Sequence, residues 1–282
     1  MLALVALSGA ITARAQSLGP QVQPTPPPQQ TEQPDLINAD RPGIADGSTV
    51  IGSHRFQIES GLQEEFRRAG DSHEHTLFIP TLLRIGIDSR LEARIEGNTF
   101  TRITTFDPAN VSNHTSGLAP VSLGLKYQFM DARGHQPSMG TIIRIFPAWG
   151  SGDFRSHHVT GDVRLAADWD ISKNPHLSLN PNVGVGRYED GQGKTFTTGL
   201  LALTLSYLPT NKLNPFIDMG LQAPEESDGK SSVTFDTGVA YIVGHNVQLD
   251  ASIGDGAHGG TPPHPFVSVG VSFRSRVFGR RK

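Results

Sequence analysis

The strongest constraint on this chain is a two-residue alternation of apolar and polar side chains, which is clearest over residues 159–171. One face carries Val159, Gly161, Val163, Leu165, Ala167, Trp169 and Ile171, and the other carries Thr160, Asp162, Arg164, Ala166, Asp168 and Asp170. Successive side chains of a β-strand point to opposite faces, so the pattern predicts a strand with one apolar and one charged face. On a helix the same charges would be spread around the whole surface. The segment is therefore predicted to be a strand.

The same alternation returns along most of the chain. It is clear over residues 54–68, 90–100, 120–130, 233–241, 247–253 and 267–273, and weaker near 73–87, 139–147, 176–188, 196–208 and 215–223. Together these segments predict about twelve strands, an even number of the kind found in bacterial membrane barrels. Residues 107–117 and 150–157 interrupt the pattern and are predicted to be extracellular loops.

The N-terminal part of the chain predicts an exported protein. Residues 1–15 join an apolar run to the sequence Ala13-Arg14-Ala15, which predicts a signal peptide cleaved before Gln16. Residues 16–34 are rich in Pro and Gln and are predicted to form a disordered linker. We expect a barrel domain over residues 35–273 and a basic C-terminal tail over residues 274–282.

Alternation alone does not separate a membrane barrel from a soluble β-sandwich, because the strands of both have one apolar face. The export signal and the long strands favour the barrel. Hydrophobic residues make up only 36% of the chain, which fits a barrel in which alternate residues meet lipid. We therefore predict an all-β fold, a transmembrane antiparallel up-and-down β-barrel of about 12 strands in the outer membrane of a Gram-negative-type bacterium. A soluble sandwich is the alternative.

The polar face of the predicted strands would line the barrel lumen. The candidate lumen residues are Arg55, Glu59, Arg84, Arg94, Glu96, Lys126, Arg144, Asp162, Arg164, Asp168 and Asp236. Because they carry both signs of charge, they can form cross-strand pairs that rigidify a narrow barrel or can line a small pore. Barrels of this size lie between filled small barrels and open porins, so both outcomes stay open.

Catalysis and metal binding are weaker interpretations. His176, Ser178 and Asn180 share one strand face and could supply a base and a nucleophile, but they lie opposite the leucine face where a lipid hydrolase would need them. Two pairs of histidines are present, His73 with His75 and His157 with His158. Neither pair has a third metal ligand nearby in sequence. We predict no enzyme activity, no metal site and no cofactor.

Two stretches of the chain carry a resemblance to a known family. The first is Asp40-Arg41-Pro42 followed by Gly52-x-x-Arg55-Phe56-Gln57-Ile58-Glu59-Ser60-Gly61, and the second is Phe235-Asp236-Thr237-Gly238-Val239-Ala240-Tyr241 with Asn246-Val247-Gln248-Leu249-Asp250. They resemble the opening and the closing hairpin of the MetA-pathway of phenol degradation family of outer-membrane transporters. Asp40 and Arg41 are expected at the periplasmic entrance to the first strand, as a structural ion pair or plug, or else as a gate.

The resemblance implies a channel or transporter for small hydrophobic or aromatic compounds, set in outer-membrane lipid. A structural or lipid-acting barrel with a plugged lumen is the alternative. The segment Ser268-x-Gly270-x-x-Phe273 is similar to the C-terminal signal of outer-membrane proteins, which predicts the barrel assembly machinery as a partner. The net charge of -3 gives no reason to expect nucleic-acid binding.

Overall fold

A computed structural model describes residues 35–69, 72–227, 229, 231–258 and 264–276. The predicted signal peptide, the linker and the last residues of the basic tail lie outside this part of the chain. The strands are β1 (Arg55–Ala69), β2 (Ser72–Gly86), β3 (Leu91–Phe106), β4 (Ser112–Gly117), β5 (Ser122–Met130), β6 (Ser138–Phe146), β7 (Thr160–Lys173), β8 (His176–Glu189), β9 (Thr195–Tyr207), β10 (Leu213–Ala223), β11 (Ser232–Gly244), β12 (Val247–His258) and β13 (His264–Arg276). Within the described residues no helix is long and apolar enough to cross a membrane.

The strands form one antiparallel sheet that closes on itself. The first strand pairs with the last, starting at Arg55 opposite Arg276. β3 pairs with β5 through its first half and with β4 through its second half. β4 and β5 therefore count as one strand of the barrel wall. The result is a closed 12-strand barrel, which confirms the predicted fold class and strand count.

The strand boundaries differ from the prediction at two places. The predicted loop over residues 107–117 is wrong in its second half, because Ser112–Gly117 form β4. This segment lies at the extracellular end, where neither face must be apolar, so it carries no alternation. β13 continues to Arg276, beyond the predicted end of the barrel at residue 273. At Pro80 the pairing of β2 with β3 shifts register, as expected where proline removes a ladder hydrogen bond.

The barrel is apolar outside and charged inside, the reverse of a soluble protein. On β5, Leu123 and Leu125 are 53% and 48% exposed, whereas Lys126 is completely buried. The largest fully buried side chains are mostly polar or charged and include Arg84, Arg94, Lys126, Gln57, Glu59 and Glu92. A continuous apolar outer surface suits hydrocarbon and not water. The sandwich alternative is therefore wrong, and the chain is an outer-membrane β-barrel.

The two ends of the barrel differ in the length of their connections. The end at which β1 begins has short turns, such as residues 174–175 and 245–246, and also holds the end of β13. The opposite end carries longer loops, of which residues 147–159 are the most extensive among those described. Outer-membrane barrels have short periplasmic turns and longer extracellular loops. The start of β1 and the end of β13 therefore both lie on the periplasmic side.

A charge placed on the outer face tests this assignment. Val183 lies near the middle of β8, is 51% exposed, and pairs with the outward-facing Leu165 and Leu201. Val183→Arg is expected to lower the free energy of unfolding in lipid vesicles by about 2–4 kcal/mol, because arginine must enter the hydrocarbon layer. Urea unfolding followed by tryptophan fluorescence measures this change. The control Val111→Arg, in the loop before β4, is expected to cost at most about 1 kcal/mol, and equal costs would contradict the assigned lipid face.

Candidate functional site: a plugged lumen

Residues 35–53, which precede β1, lie inside the periplasmic part of the barrel, and we call them the plug. The plug contains no helix or strand. Ile37 and Ile51 are only 2% and 6% exposed, and Ser48 is completely buried. The plug joins β1 through Gly52 and His54, which both have positive φ angles, 84° and 56°. The chain therefore turns sharply between the plug and the first strand.

Side chains of the lumen satisfy the backbone of the plug. Six plug N–H groups donate to six strands: Arg41 to Glu59 on β1 (2.9 Å), Ile51 to Glu92 on β3 (3.0 Å), Val50 to Gln128 on β5 (3.2 Å), Ser48 to Asp168 on β7 (2.8 Å), Asp46 to Asn182 on β8 (2.9 Å) and Ile44 to Asp218 on β10 (2.9 Å). Plug carbonyl groups accept hydrogen bonds from Arg84, Asn182, Gln248 and Arg274. A buried segment without sheet partners needs such bonds. Much of the polar lumen is therefore a binding surface for the plug.

Asp40 is the electrostatic centre of the plug. Its carboxylate lies 2.6 Å from Nη1 of Arg94, 2.9 Å from Nζ of Lys126 and 3.5 Å from Nη1 of Arg84. These cations come from β3, β5 and β2 and are buried. Arg84 is shared with Glu92 of the wall, at 2.9 Å. One plug carboxylate thus completes a buried charge cluster built by three strands.

The same cations determine the ionisation of the plug. Burial opposes the charge of Asp40, but Arg84, Lys126 and Arg94 outweigh it and hold the pKa of Asp40 well below its usual range. Burial of Asp46 is outweighed in the same way, chiefly by Arg94, and its pKa is also lowered. A carboxyl group with a lowered pKa contributes its full stabilisation above the normal carboxyl pKa of about 4. This stabilisation is lost only as the pH falls below that value, towards the pKa of the folded state. The plug ion pairs are therefore intact at physiological pH.

Arg41 occupies a slot between two glycines. Its Nη2 atom lies 3.0 Å from Oδ1 of Asp250 and 3.0 Å from Oγ of Ser268. Gly61 on β1 and Gly270 on β13 are direct cross-strand partners. A Cβ atom at either position would lie 2.5 Å from Arg41 Nη2. The absence of side chains at these two positions leaves room for the guanidinium group.

The structure places the predicted lumen residues on the inner face of the wall, except for one at the rim. Glu59, Arg84, Arg94, Lys126, Arg144, Asp162 and Asp236 are buried there, and Glu96, Arg164 and Asp168 are partly buried there. Arg55 lies at the periplasmic rim, where its Nη2 atom is 2.6 Å from Asp35. Asp40 and Arg41 lie further into the lumen than the entrance at which they were predicted.

A second ion cluster crosses the wall outside the plug. Arg144 on β6 lies 3.0 Å from Glu96 on β3 and 2.9 Å from Asp162 on β7. The hydroxyl group of Tyr188 on β8 donates to Asp162 at 2.6 Å. This cluster binds four strands together, and Arg164, which lies 3.5 Å from Asp162 and 3.5 Å from Asp46, connects it to the plug. By contrast, Asp236 pairs across strands with the acidic Asp218, and within the described residues neither forms an ion pair.

A cavity of about 520 Å³ lies in the lumen on the extracellular side of the plug. Pro42 and Ile44 of the plug form part of its lining, and Leu82, Phe266 and Asp236 are among the wall residues that contact it. Phe266 is the aromatic residue of this lining. A separate row of aromatic rings on the inner wall has centroids 5.8 Å apart for Phe146 and Tyr188 and 6.4 Å apart for Tyr188 and Phe196. The cavity thus offers both apolar and polar surface.

The extracellular loop over residues 147–159 is fastened to the barrel wall. Glu189, the last residue of β8, accepts hydrogen bonds from the hydroxyl of Ser156 (2.7 Å) and from the backbone N–H groups of His157 (2.9 Å) and His158 (2.8 Å). Nδ1 of each histidine also lies within 3.3 Å of this carboxylate. The adjacent histidines therefore serve to anchor the loop.

Removal of this anchor is expected to loosen the loop. Glu189→Gln removes the negative charge of the carboxylate, so its charge-assisted hydrogen bonds, each of which contributes about 1.5–3 kcal/mol, become weaker neutral ones. We expect trypsin to cleave after the exposed Arg155 about tenfold faster or more, since 1.4 kcal/mol is a factor of ten. Gel analysis of timed digests measures the rate. The matched control is Asp190→Asn, which alters the neighbouring turn and leaves residues 147–159 in place; equal acceleration in both variants would contradict the anchoring role.

The structure does not assemble the catalytic or metal sites considered from sequence. Nε2 of His176 lies 3.1 Å from Asp170, and within the described residues it forms no hydrogen bond with Ser178. Asn180 donates to Asp168. No group of three or more His, Cys, Asp or Glu side chains in the described ranges is arranged to hold a metal ion.

Sequence reasoning missed most partners of the plug. On the wall these are Gln57, Glu92, Gln128, Ser138, Asn182, Asp218, Gln248, Asp250, Ser268 and Arg274. Glu92 was within reach of the sequence argument, because it shares a strand face with Arg94. Nothing in the sequence marked the uncharged wall partners of the plug, because a polar side chain that faces water in an open lumen would give the same alternation.

Comparisons with known proteins agree with this architecture. The COG4313 outer membrane channel from Pseudomonas putida F1 is 10% identical, with a TM-score of 0.63, and the match covers 81% of this chain and 98% of that chain. The transport unit of the autotransporter AIDA-I from Escherichia coli is 12% identical over 79% of this chain and 90% of that chain, with a TM-score of 0.49. The first likeness shows a shared barrel fold. No curated protein matches the sequence.

The sequence itself matches a family model over residues 39–274, described as "Putative MetA-pathway of phenol degradation". The matched region begins within the plug and ends near the end of β13, so it includes the barrel wall up to residue 274 together with Asp40 and Arg41. This confirms the family suggested by the opening and closing segments of the sequence. The chain belongs to the MetA-pathway of phenol degradation family.

Proposed function

We propose that this protein is an outer-membrane channel for small hydrophobic or aromatic molecules, and that the plug closes its periplasmic side. The observation that carries the proposal is the cavity on the extracellular side of the plug. Its volume of about 520 Å³ lies in the range typical of sites for small molecules. Phe266 in its lining offers an aromatic surface to such a solute, and Phe146, Tyr188 and Phe196 form a separate row of rings on the inner wall. The family name, which refers to phenol degradation, supports the same class of solute.

The plug is held by non-covalent contacts, so it can serve as a gate. Its covalent connection to the barrel wall is the turn through Gly52 and His54. Release would expose the predicted lumen residues to water and open a path to the periplasm. The roles of Asp40 and Arg41 would then be to lock the closed state, which combines the plug and gate alternatives raised by the sequence.

A structural barrel with a permanently plugged lumen is the second candidate. The observation that favours it is the number of strands that bind the plug through buried hydrogen bonds and ion pairs. Such a barrel would show no solute flux under any condition. A lipid-acting role has no comparable support, because His176 and Ser178 are not paired.

A reversible lock on the plug separates the two candidates. The hydroxyl oxygens of Ser48 in the plug and Ser138 on β6 are 2.7 Å apart, and the chain contains no cysteine of its own. Ser48→Cys with Ser138→Cys would therefore allow one disulfide between plug and wall. In proteoliposomes we expect no flux of benzoate when this variant is oxidised and flux restored by a reductant. The single variants are the controls.

Each result decides between the candidates. Flux that is equal in the oxidised and reduced states would show that the plug is not the gate. An absence of flux from the wild-type protein and from the reduced variant would favour the structural barrel. Flux of hexose equal to that of benzoate would contradict the selectivity for aromatic solutes.

Two partners complete the proposal. Outer-membrane lipid would surround the apolar band formed by outward-facing residues such as Leu125 and Val183. The barrel assembly machinery would recognise β13, whose outward-facing Phe273 ends the signal-like segment and is 43% exposed. Depletion of that machinery is expected to leave the protein protease-sensitive and without the heat-modifiable gel mobility of a folded barrel.

A further inference from the structure

A group of basic side chains lies on the outer surface near the extracellular end of β1–β4. It consists of Arg68, His73, His75, Arg102 and His114, and we call it the basic patch. Strand pairing places these residues together: Arg68 is opposite His73, Thr104 links His75 to His114, and Leu77 is opposite Arg102. All five share the outward parity of Leu62, which is 46% exposed. The patch therefore lies on the outside of the wall and not in the lumen.

Among the described residues, the two arginines of the patch have no acidic partner. Arg68 and Arg102 are exposed and form no ion pair or hydrogen bond with any described residue. In the patch, the carboxylate of Glu64 lies 3.8 Å from His75. The lumen differs sharply, because arginines such as Arg84 and Arg94 each contact several carboxylates. Within the described part of the chain, the charges of Arg68 and Arg102 are thus not neutralised by an ion pair.

Aromatic side chains hold the imidazole groups in place. The ring of His73 stacks on Phe106 with centroids 5.3 Å apart, and His75 meets Phe66 edge-on at 4.9 Å. His75 also lies 5.4 Å from Phe106. Fixed donors lose less conformational freedom on binding than mobile side chains do. The patch is therefore an ordered surface and not a set of independent charges.

We propose that the basic patch binds the phosphorylated headgroup of a glycolipid in the outer leaflet of the membrane. The patch lies just above the apolar band, at the level where lipid headgroups meet the extracellular end of the barrel. Arginine suits phosphate because its planar fork donates two parallel hydrogen bonds. Directly below, the exposed side chains of Leu62 and Phe100 offer apolar surface for acyl chains. One ligand that carries both phosphate and acyl chains matches the whole surface.

The test uses the folded full-length barrel in detergent micelles and bisphosphorylated lipid A carrying a fluorescent label. Wild-type protein is expected to bind it saturably. The double variant Arg68→Gln, Arg102→Gln is expected to bind at least tenfold more weakly, because it loses charge-assisted hydrogen bonds to phosphate. Heat-modifiable gel mobility confirms that each variant is folded. If the double variant does not fold, the two single variants are measured instead.

A matched control is Arg187→Gln, which removes an exposed, outward-facing arginine of β8 that donates to Thr195 at 2.7 Å. It is expected to bind lipid A as the wild type does. Equal weakening by this control would show attraction to any surface charge and would overturn the proposal. Equal binding of dephosphorylated lipid A, or full competition by millimolar inorganic phosphate, would also overturn it, since the first excludes phosphate recognition and the second indicates a free-anion site. These results do not depend on whether the barrel conducts solutes.

Discussion

Asp40→Asn is expected to release the plug and to produce the largest increase in conductance of any single substitution in it. The variant keeps the size of the side chain but leaves Arg84, Arg94 and Lys126 with one carboxylate fewer. Removal of one partner from a buried ion cluster costs about 3–5 kcal/mol. Because 1.4 kcal/mol is a factor of ten, the closed state should be disfavoured by on the order of 100-fold or more. Single-channel recording in planar bilayers measures the change in open probability.

The control for this experiment is Asp35→Asn. Asp35 also lies in the plug and also pairs with arginine, but its side chain is 58% exposed at the periplasmic rim. Exposed ion pairs contribute about 1 kcal/mol or less, so we expect only a small change in conductance. If Asp40→Asn conducts like the wild type while remaining folded, electrostatic anchoring of the plug is wrong.

The barrel wall could be predicted from the sequence because membrane and lumen impose opposite demands on alternate residues. On β7, Val163 and Leu165 must meet lipid while Asp162 and Arg164 face inward, so two-residue periodicity carries most of the fold. The prediction weakened where this demand ends. β4 lies at the extracellular end with both faces polar, and its sequence Ser-Asn-His-Thr-Ser-Gly resembles a loop.

The plug could not be predicted in the same way, because it has no periodicity. Its conformation depends on contacts with residues far away in sequence, such as Asp218 with the N–H group of Ile44. The sequence singled out Asp40 and Arg41 but placed them at the entrance, because a turn-rich segment before a strand does not show how far it extends into the lumen. Only the completed wall defines the space in which the plug lies. The sequence thus shows which face of a strand lines the lumen, whereas it does not show which plug groups that face binds.

Gly270→Ala is expected to open the channel by a different route, in which no charge is removed. The new Cβ would lie 2.5 Å from Nε and Nη2 of Arg41 and 2.7 Å from Oδ1 of Asp250, so the guanidinium must leave its slot. A charge-assisted hydrogen bond contributes about 1.5–3 kcal/mol, so its loss should raise the open probability about tenfold or more. The added methyl group is not itself unfavourable in a strand, where glycine is the weaker residue.

The cause can be isolated with a double-mutant cycle. If Gly270→Ala acts by evicting the guanidinium, it should have almost no further effect in an Arg41→Ala background, because the slot is then already empty. Additive effects on conductance would show that Gly270 matters for the wall itself and would contradict the slot. Gly199→Ala provides the matched control, since its Cβ would meet no atom closer than 3.7 Å. A conductance change that depends on both Gly270 and Arg41 would identify shape, as well as charge, as what holds the plug in the lumen.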